Sequence, residues 1–277
     1  MGRHPRFRCR GLDGGVGLRG SGCAPGAGDA GIMGLKSFVT SRLPPEARAR
    51  LYTVKAAADF VRSGGTIAPR ECNICGYIGP FYPFGRHLRR DAGCPGCRSL
   101  ERHRLFKLFF DAHRGLFDGR DILHFAPEAA VLRFTRPVAG VYLTADLNDP
   151  RADTRLDIEA IGMAERFDTI IASHVLEHVN DRAALASLHE SLRRGGALLV
   201  MIPITENLAT FEDPAVTGAR ARELHFGQRD HVRFYGGDFA DRAAAAGFLV
   251  ERFNAADRDV ARFGLYRGET VFNCRRP

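Results

Sequence analysis

Four cysteines fall in two close pairs, Cys72-x2-Cys75 and Cys94-x2-Cys97, with eighteen residues between the pairs. A CxxC turn brings two thiolates onto one ion from neighbouring positions, and two such turns complete a tetrahedron. Gly76, Gly93 and Gly96 sit beside the knuckles, where a tight backbone needs them. Zinc is the reading this spacing favours; iron or a redox pair would draw on the same residues. Four protein ligands close the coordination shell, so the expected role is structural, the ion supplying folding free energy to a small module. Between the knuckles, Phe81, Tyr82, Phe84, Arg86, His87, Arg89 and Arg90 mix aromatic and basic groups. Such a mixture suits either a packed ribbon or a grip on a base or phosphate. Cys9, Cys23 and Cys274 stand alone, unlike the cysteines of a secreted disulfide framework.

A second set of chemical groups lies further along the chain. Asp146 follows an apolar run about 20 residues after an earlier turn, where an acid can accept both hydroxyls of a ribose. Asp157 can accept an adenine amino group while Ile158 packs on the ring. Either acid alone reads equally as a cap or a surface charge; two at consecutive strand ends point to a ligand. Glu177 and His178 follow a later strand, and histidine is the usual base near neutral pH. Phe226 to Tyr235 form another polar and aromatic cluster, with His231 as a candidate base and Arg233 as a candidate anion clamp. Both also read as loop or packing residues. Glu212-Asp213-Pro214 is expected to be a flexible loop.

These groups need elements to position them. Beyond Gly119, short apolar runs alternate with helical stretches. Strands are expected at Ile122–Phe125, Val141–Ala145, Thr154–Leu156, Thr169–Ser173, Ala197–Ile202, Leu249–Phe253 and Thr270–Cys274. Helices are expected at Ala129–Phe134, Asp181–Leu192 and Gly237–Ala246. This alternation argues for an α/β Rossmann-like, doubly wound, mostly parallel seven-stranded sheet, with the ligand site along the strand C-termini. A small zinc-ribbon module at 67–98 precedes it, and a linking helix over 99–118 joins the two. The domain itself spans 119–277. Residues 35–66 read as a helical segment, with Leu51, Val54, Ala58 and Val61 at spacings of three and four. Residues 1–34, rich in Gly, Arg and Ala, bury too little to order, and Met33 is a candidate true start.

The order of Asp146, Asp157, the Phe167-Asp168-Thr169-Ile170-Ile171 strand and Ser173–Val179 resembles the class I S-adenosylmethionine-dependent methyltransferases. Leu192-Arg193-Arg194-Gly195-Gly196 is similar to that family's turn before the fifth strand. The subgroup most similar is the type 11-like one with a cysteine-rich front end and a first turn reading His-x-Ala-Pro-Glu. The resemblance covers roughly residues 70 to 275. It implies S-adenosylmethionine as cofactor, with Asp146 and the adjacent Leu147 at the ribose and Asp157 with Ile158 at the adenine. His124, Ala126 and Glu128 would form the first turn, and Ser173 with His174 would line the methionine end. The implied reaction is in-line attack on the sulfonium methyl. The chain departs from the family at that first turn, which lacks the usual acid and Gly-x-Gly.

No Asn/Asp-Pro-Pro-aromatic run follows the fourth strand, and no cysteine lies in 98–273. This disfavours amino methylation of bases and carbon methylation of pyrimidines. An oxygen nucleophile on a small-molecule or glycan acceptor fits better. The net charge of +8 keeps RNA open as an acceptor, although nearly all cations are Arg and are spread along the chain. A non-catalytic scaffold of the same fold is the third reading. No run of about 18 to 20 apolar residues is present, so no membrane span is expected and the cytoplasm is the expected location.

Overall fold

The computed structural model describes residues 69–84 and 89–277, together with Leu51, Val54 and Ala58, which are helical as their spacing predicts. The 1–34 tail, most of 35–66, and Arg86 and His87 lie outside the described residues. Among the described residues no helix is long and apolar enough to cross a membrane.

The cysteine-bearing segment holds two short antiparallel pairs. β1 (Arg70–Glu71) pairs with β2 (Ile78–Gly79), and β3 (Tyr82–Phe84) pairs with β4 (Arg89–Gly93). Gly93 is there because the Tyr82 ring packs on its backbone: a Cβ at Gly93 would lie 2.2 Å from a ring carbon. Helix α1 (Glu101–Ala112) follows, its start fixed by His103 Nδ1 accepting the Leu100 N–H at 3.0 Å. Leu105, Phe106, Phe109 and Phe110 share its buried face, at i, i+1, i+4 and i+5. Each such side chain contributes about 1.5–3 kcal/mol when fully buried.

The main sheet is built from β5 (Asp121–Phe125), β6 (Val141–Ala145), β7 (Phe167–Ser173), β8 (Leu192–Met201), β12 (Leu249–Phe253) and β13 (Val271–Arg275). Their spatial order is β12-β13-β8-β7-β5-β6. β6, β5, β7 and β8 run parallel, and β13 is antiparallel to both its neighbours. Phe125 lies level with Ala145 on one side and Ala172 on the other, so three strand ends reach the same edge together. Side chains alternate between two cores, as a sheet covered on both faces requires. Ile122, Ile171 and Leu199 join α1 and α2 (Ala129–Thr135). Leu123, Ile170 and Leu198 join α3 (Asp181–Ser191) and α5 (Phe239–Ala245).

The sheet has six strands where seven are expected. Thr154–Leu156 supplies a single bridge, from Thr154 to Ala145. The reason is local: Asp153 Oδ2 accepts both the Thr144 N–H (3.0 Å) and its hydroxyl (2.7 Å), so a side chain takes the place of further ladder bonds. The connection after β8 is also more ordered than a flexible loop. β9 (Ile204–Thr205), β10 (Phe211–Glu212) and β11 (Arg233–Gly236) form a small sheet in the order β10-β11-β9. α4 (Ala219–Phe226) lies between β10 and β11. Glu212, expected in a mobile loop, is therefore a strand residue, and its carboxylate meets Arg233 at 3.1 Å and Arg242 at 2.9 Å.

Candidate functional site

The strand order reverses at β5. The chain leaves β5 for β6 on one side, then returns to β7 on the other. Ligands of open α/β sheets bind in the crevice at such a switch point, outside the strand C-termini. Both strands bordering this crevice end in a left-handed residue that is not glycine: Ala126 at φ 46° after β5 and His174 at φ 54° after β7. That conformation costs roughly 1–2 kcal/mol for an L-residue and collects at binding edges. The first turn thus keeps a left-handed bend without a glycine.

Asp146 ends β6 at this edge. Its Oδ1 accepts the N–H groups of Asn148 (2.7 Å) and Asp149 (2.8 Å), which holds the carboxylate in place, and Oδ2 makes no further bond among the described residues. Leu147 is exposed beside it. Asp157 is exposed and Oδ1 accepts the Glu159 N–H at 2.9 Å, while Ile158 is buried in the core. The expected pairing of an acid with an apolar ring contact is therefore only half enclosed. Ser173 is buried with its Oγ unpartnered, and the buried Nε2 of His174 is likewise unpartnered.

Two residues expected at the first turn are engaged elsewhere. His124 is wholly buried on the α1 face, hydrogen-bonded through Nδ1 to Tyr142 Oη at 2.8 Å, because the pleat of β5 turns it into the sheet's core. Burial lowers its pKa to about 4, so it is neutral there. Glu128 accepts from Arg102 (2.6 Å) and bonds His103 (2.8 Å) through Oε1. Burial alone would raise its pKa, but His103 and Arg102 outweigh that and hold the carboxyl well below the usual range. Its Oε2 remains buried without a partner.

Beyond β7, three histidines gather around Glu177. His174 Nδ1 meets Glu177 Oε1 at 3.2 Å, and the rings of His178 and His231 lie 4.7 Å apart, edge to face. His231 is almost fully buried, its Nδ1 bonded to the Phe226 carbonyl at 3.1 Å. Burial lowers its pKa despite the opposing charge of Glu177. Arg233 is no anion clamp. Its guanidinium is buried and engaged by the Leu176 and Val179 carbonyls, Glu212 and Asp181. A cleft of about 540 Å³ opens next to this cluster, lined by Glu159, His178, Asn180, Asp213 and Val232 among others.

The cysteines meet as their spacing predicts. Cys72 and Cys97 Sγ atoms are 3.5 Å apart and those of Cys75 and Cys94 are 3.6 Å apart. An ion with metal–sulfur bonds of about 2.3 Å places tetrahedral sulfurs about 3.8 Å apart. The two knuckles repeat one backbone pattern. Gly76 N–H bonds Cys72 O and Arg98 N–H bonds Cys94 O, each at 2.8 Å, and both donors are left-handed.

Residues 141–200 match a family model described as a methyltransferase domain. Among solved structures, an S-adenosylmethionine-dependent methyltransferase from Mesorhizobium loti is 20% identical with a TM-score of 0.46, covering 62% of this chain and 98% of its own. A 1,6-didemethyltoxoflavin-N1-methyltransferase from Burkholderia thailandensis, solved with S-adenosylhomocysteine, is 16% identical with a TM-score of 0.45, covering 64% and 79%. No curated protein matched.

The segment that the family model matches runs from β6 into β8 and so contains Asp146, Asp157, Ile158, Ser173, His174 and His178. Glu269 lies outside it and carries no motif in the sequence. Its Oε2 is buried and unpartnered, and burial pushes its carboxyl up to about 7 against the pull of His174 and Arg102. It comes from the turn before β13, which the antiparallel pairing with β8 brings to the ligand edge.

Proposed function

We propose that this chain is an S-adenosylmethionine-dependent methyltransferase acting on an oxygen nucleophile of a small-molecule or glycan acceptor, with zinc on Cys72, Cys75, Cys94 and Cys97. The observation that carries this reading is the family match over 141–200, which takes in the ends of β6 and β7 beside the sheet's switch point. The residues there fit the cofactor: a fixed acid with a spare oxygen at Asp146, two left-handed turns, and the unpartnered Ser173 Oγ and His174 Nε2. When bound, S-adenosylmethionine supplies an electrophilic methyl on a sulfonium. Asp146 holds the ribose, Ile158 packs beside the adenine, and Ser173 and His174 border the methionine end. The protein's contribution is positioning and exclusion of water.

RNA is the less favoured acceptor, because Arg89, one of the ribbon's cations, is already bonded to Glu101 at 2.8 Å. The engagement of His124 and Glu128 away from the crevice suits a non-catalytic scaffold. Incubation with methyl-labelled S-adenosylmethionine and panels of hydroxylated small molecules, glycans and RNA separates these readings. Label transfer to an oxygen acceptor is expected. Transfer to RNA alone would replace the acceptor assignment, and cofactor binding without transfer to any panel would favour the scaffold.

A further inference from the structure

We infer that Glu177, His178 and His231 form a second metal site, distinct from the cysteine knuckles, that takes a divalent first-row transition ion. One ligand atom from each of the three lies within 4.8 Å of the others. Bonds of about 2.1 Å to a common ion bring such atoms to about 3–3.4 Å, a closure that small side-chain rotations supply.

The hydrogen bonds leave the right atoms free. The Phe226 carbonyl can only accept, so His231 Nδ1 carries the proton and Nε2 is a bare lone pair. That Nε2 is buried and has no partner, on a residue 4% exposed. His174 Nδ1 donates to Glu177 Oε1, and Glu177 Oε2 is likewise buried and unpartnered on a residue 1% exposed. His178 Nδ1 stands 3.3 Å from Asp230 Oδ2, the carboxylate–histidine contact that orients a ligating imidazole. A buried carboxylate oxygen and a buried imine nitrogen left bare in one cluster are costly unless a cation takes them up.

The backbone holds this set together across a long sequence gap. Val232 N–H bonds Glu177 O at 2.9 Å, Arg233 Nη1 bonds Leu176 O at 2.7 Å, and Tyr235 Oη reaches Leu176 O at 3.3 Å. These bonds clamp the turn bearing Glu177 and His178 against the strand that follows His231. Two imidazoles and one carboxylate suit zinc, cobalt, manganese or iron, and three protein ligands leave coordination positions open. His178 also lines the cleft, which puts the open side within reach of an acceptor.

Resting on the methyltransferase reading, the ion's role is to bind the acceptor hydroxyl and lower its pKa. The hydroxyl proton leaves to solvent, the oxygen forms a bond to the methyl carbon, and the carbon–sulfur bond breaks to release neutral S-adenosylhomocysteine.

The test is a cobalt(II) titration of protein whose cysteine site is already filled with zinc. One equivalent is expected to bind with d–d absorption and no sulfur-to-cobalt charge-transfer band. Glu177→Gln and His231→Ala should each lose that equivalent, and the part-exposed His178→Ala should weaken it at least tenfold with the fold retained by circular dichroism. Asp146→Asn should keep cobalt while binding cofactor more weakly, so the metal site and the methyltransferase reading fail separately. Absence of saturable cobalt binding, a charge-transfer band alone, or equal binding in all three ligand variants would overturn the inference.

Discussion

Arg104 is the largest side chain among the fully buried ones, and its replacement gives a quantitative test of how the ribbon is joined to the domain. Its guanidinium bonds four carbonyls: Phe263 (2.7 Å), Ser99 (2.8 Å), Ala92 (3.0 Å) and Gly264 (2.8 Å). The Phe81 ring lies under it at 4.5 Å. Burial lowers its pKa, and the charges of Cys72, Glu101, Cys94 and Cys97 pull the other way. A zinc ion on four thiolates carries a net charge of −2, so the knuckle is the compensating anion for this buried cation. Arg104→Met keeps the volume and removes every donor. Ser99 O retains the Cys94 N–H at 2.9 Å, but the other carbonyls lose a charged donor. Breaking a buried ionic contact costs about 3–5 kcal/mol, which lies within the range that three unsatisfied carbonyls at about 1–3 kcal/mol each would give, so the loss is taken as about 3–5 kcal/mol. For a domain of this size that lowers Tm by about 6–20 °C. Near-UV circular dichroism melts, with and without a strong zinc chelator, measure it. Chelation and Arg104→Met should be less than additive, because each removes the other's counter-charge. Arg104→Lys should fall between. A loss below about 1 kcal/mol, or strict additivity, would refute the argument.

Further outcomes follow from the same geometry. Glu269 holds its proton up to about pH 7 when folded, against an ordinary value of 4.5, so the folded state binds more protons between those limits and stability falls as pH rises through them. Glu269→Gln should flatten that decline in urea melts, and an unchanged pH slope would show the carboxyl is solvated. Gly93→Ala should destabilise by about 1–3 kcal/mol through overpacking against Tyr82, read as a lower Tm together with faster zinc release to a colorimetric chelator. A neutral Gly93→Ala would mean the ring moves aside freely. Ala126→Val should cost more than Ala126→Gly in Tm, because a β-branched residue fits a left-handed turn worst; equal effects would remove the strain assigned to that turn.

What the sequence revealed tracks how local the signal was. The cysteine knuckles could be read because CxxC geometry is set within a few residues. Val141–Ala145 and Leu249–Phe253 have the bounds their apolar runs predict. Leu192 to Gly196, expected as a turn before the strand, instead opens β8 as an irregularity where the register with β7 shifts; the glycines still have their reasons, since Gly195 has φ 75° and a Cβ on Gly196 would lie 2.9 Å from Asp168 O. Thr154–Leu156 misled because its sequence could not show that Asp153 would take the neighbouring donors. For His124 and Glu128 the motif gives only order along the chain, whereas the pleat and helix α1 decide where each side chain points. Arg104 gave no warning, since Phe263 and Gly264, which it bonds, lie far along the chain, and Glu269 gave none, since its neighbours His174, Glu101 and Arg102 come from distant elements. The histidines were visible singly, but the contact between His178 and His231 exists only because β11 is fastened to the turn after β7.

The central claim is that the crevice between β5 and β7 holds an adenosyl cofactor by the acid that ends β6. Isothermal titration of the zinc-replete chain with S-adenosylhomocysteine tests this most directly. One site per chain is predicted, and Asp146→Asn should weaken it by about tenfold to a hundredfold, the loss of one charge-assisted hydrogen bond. A titration without heat in folded protein, or one that Asp146→Asn leaves unaltered, would contradict the account.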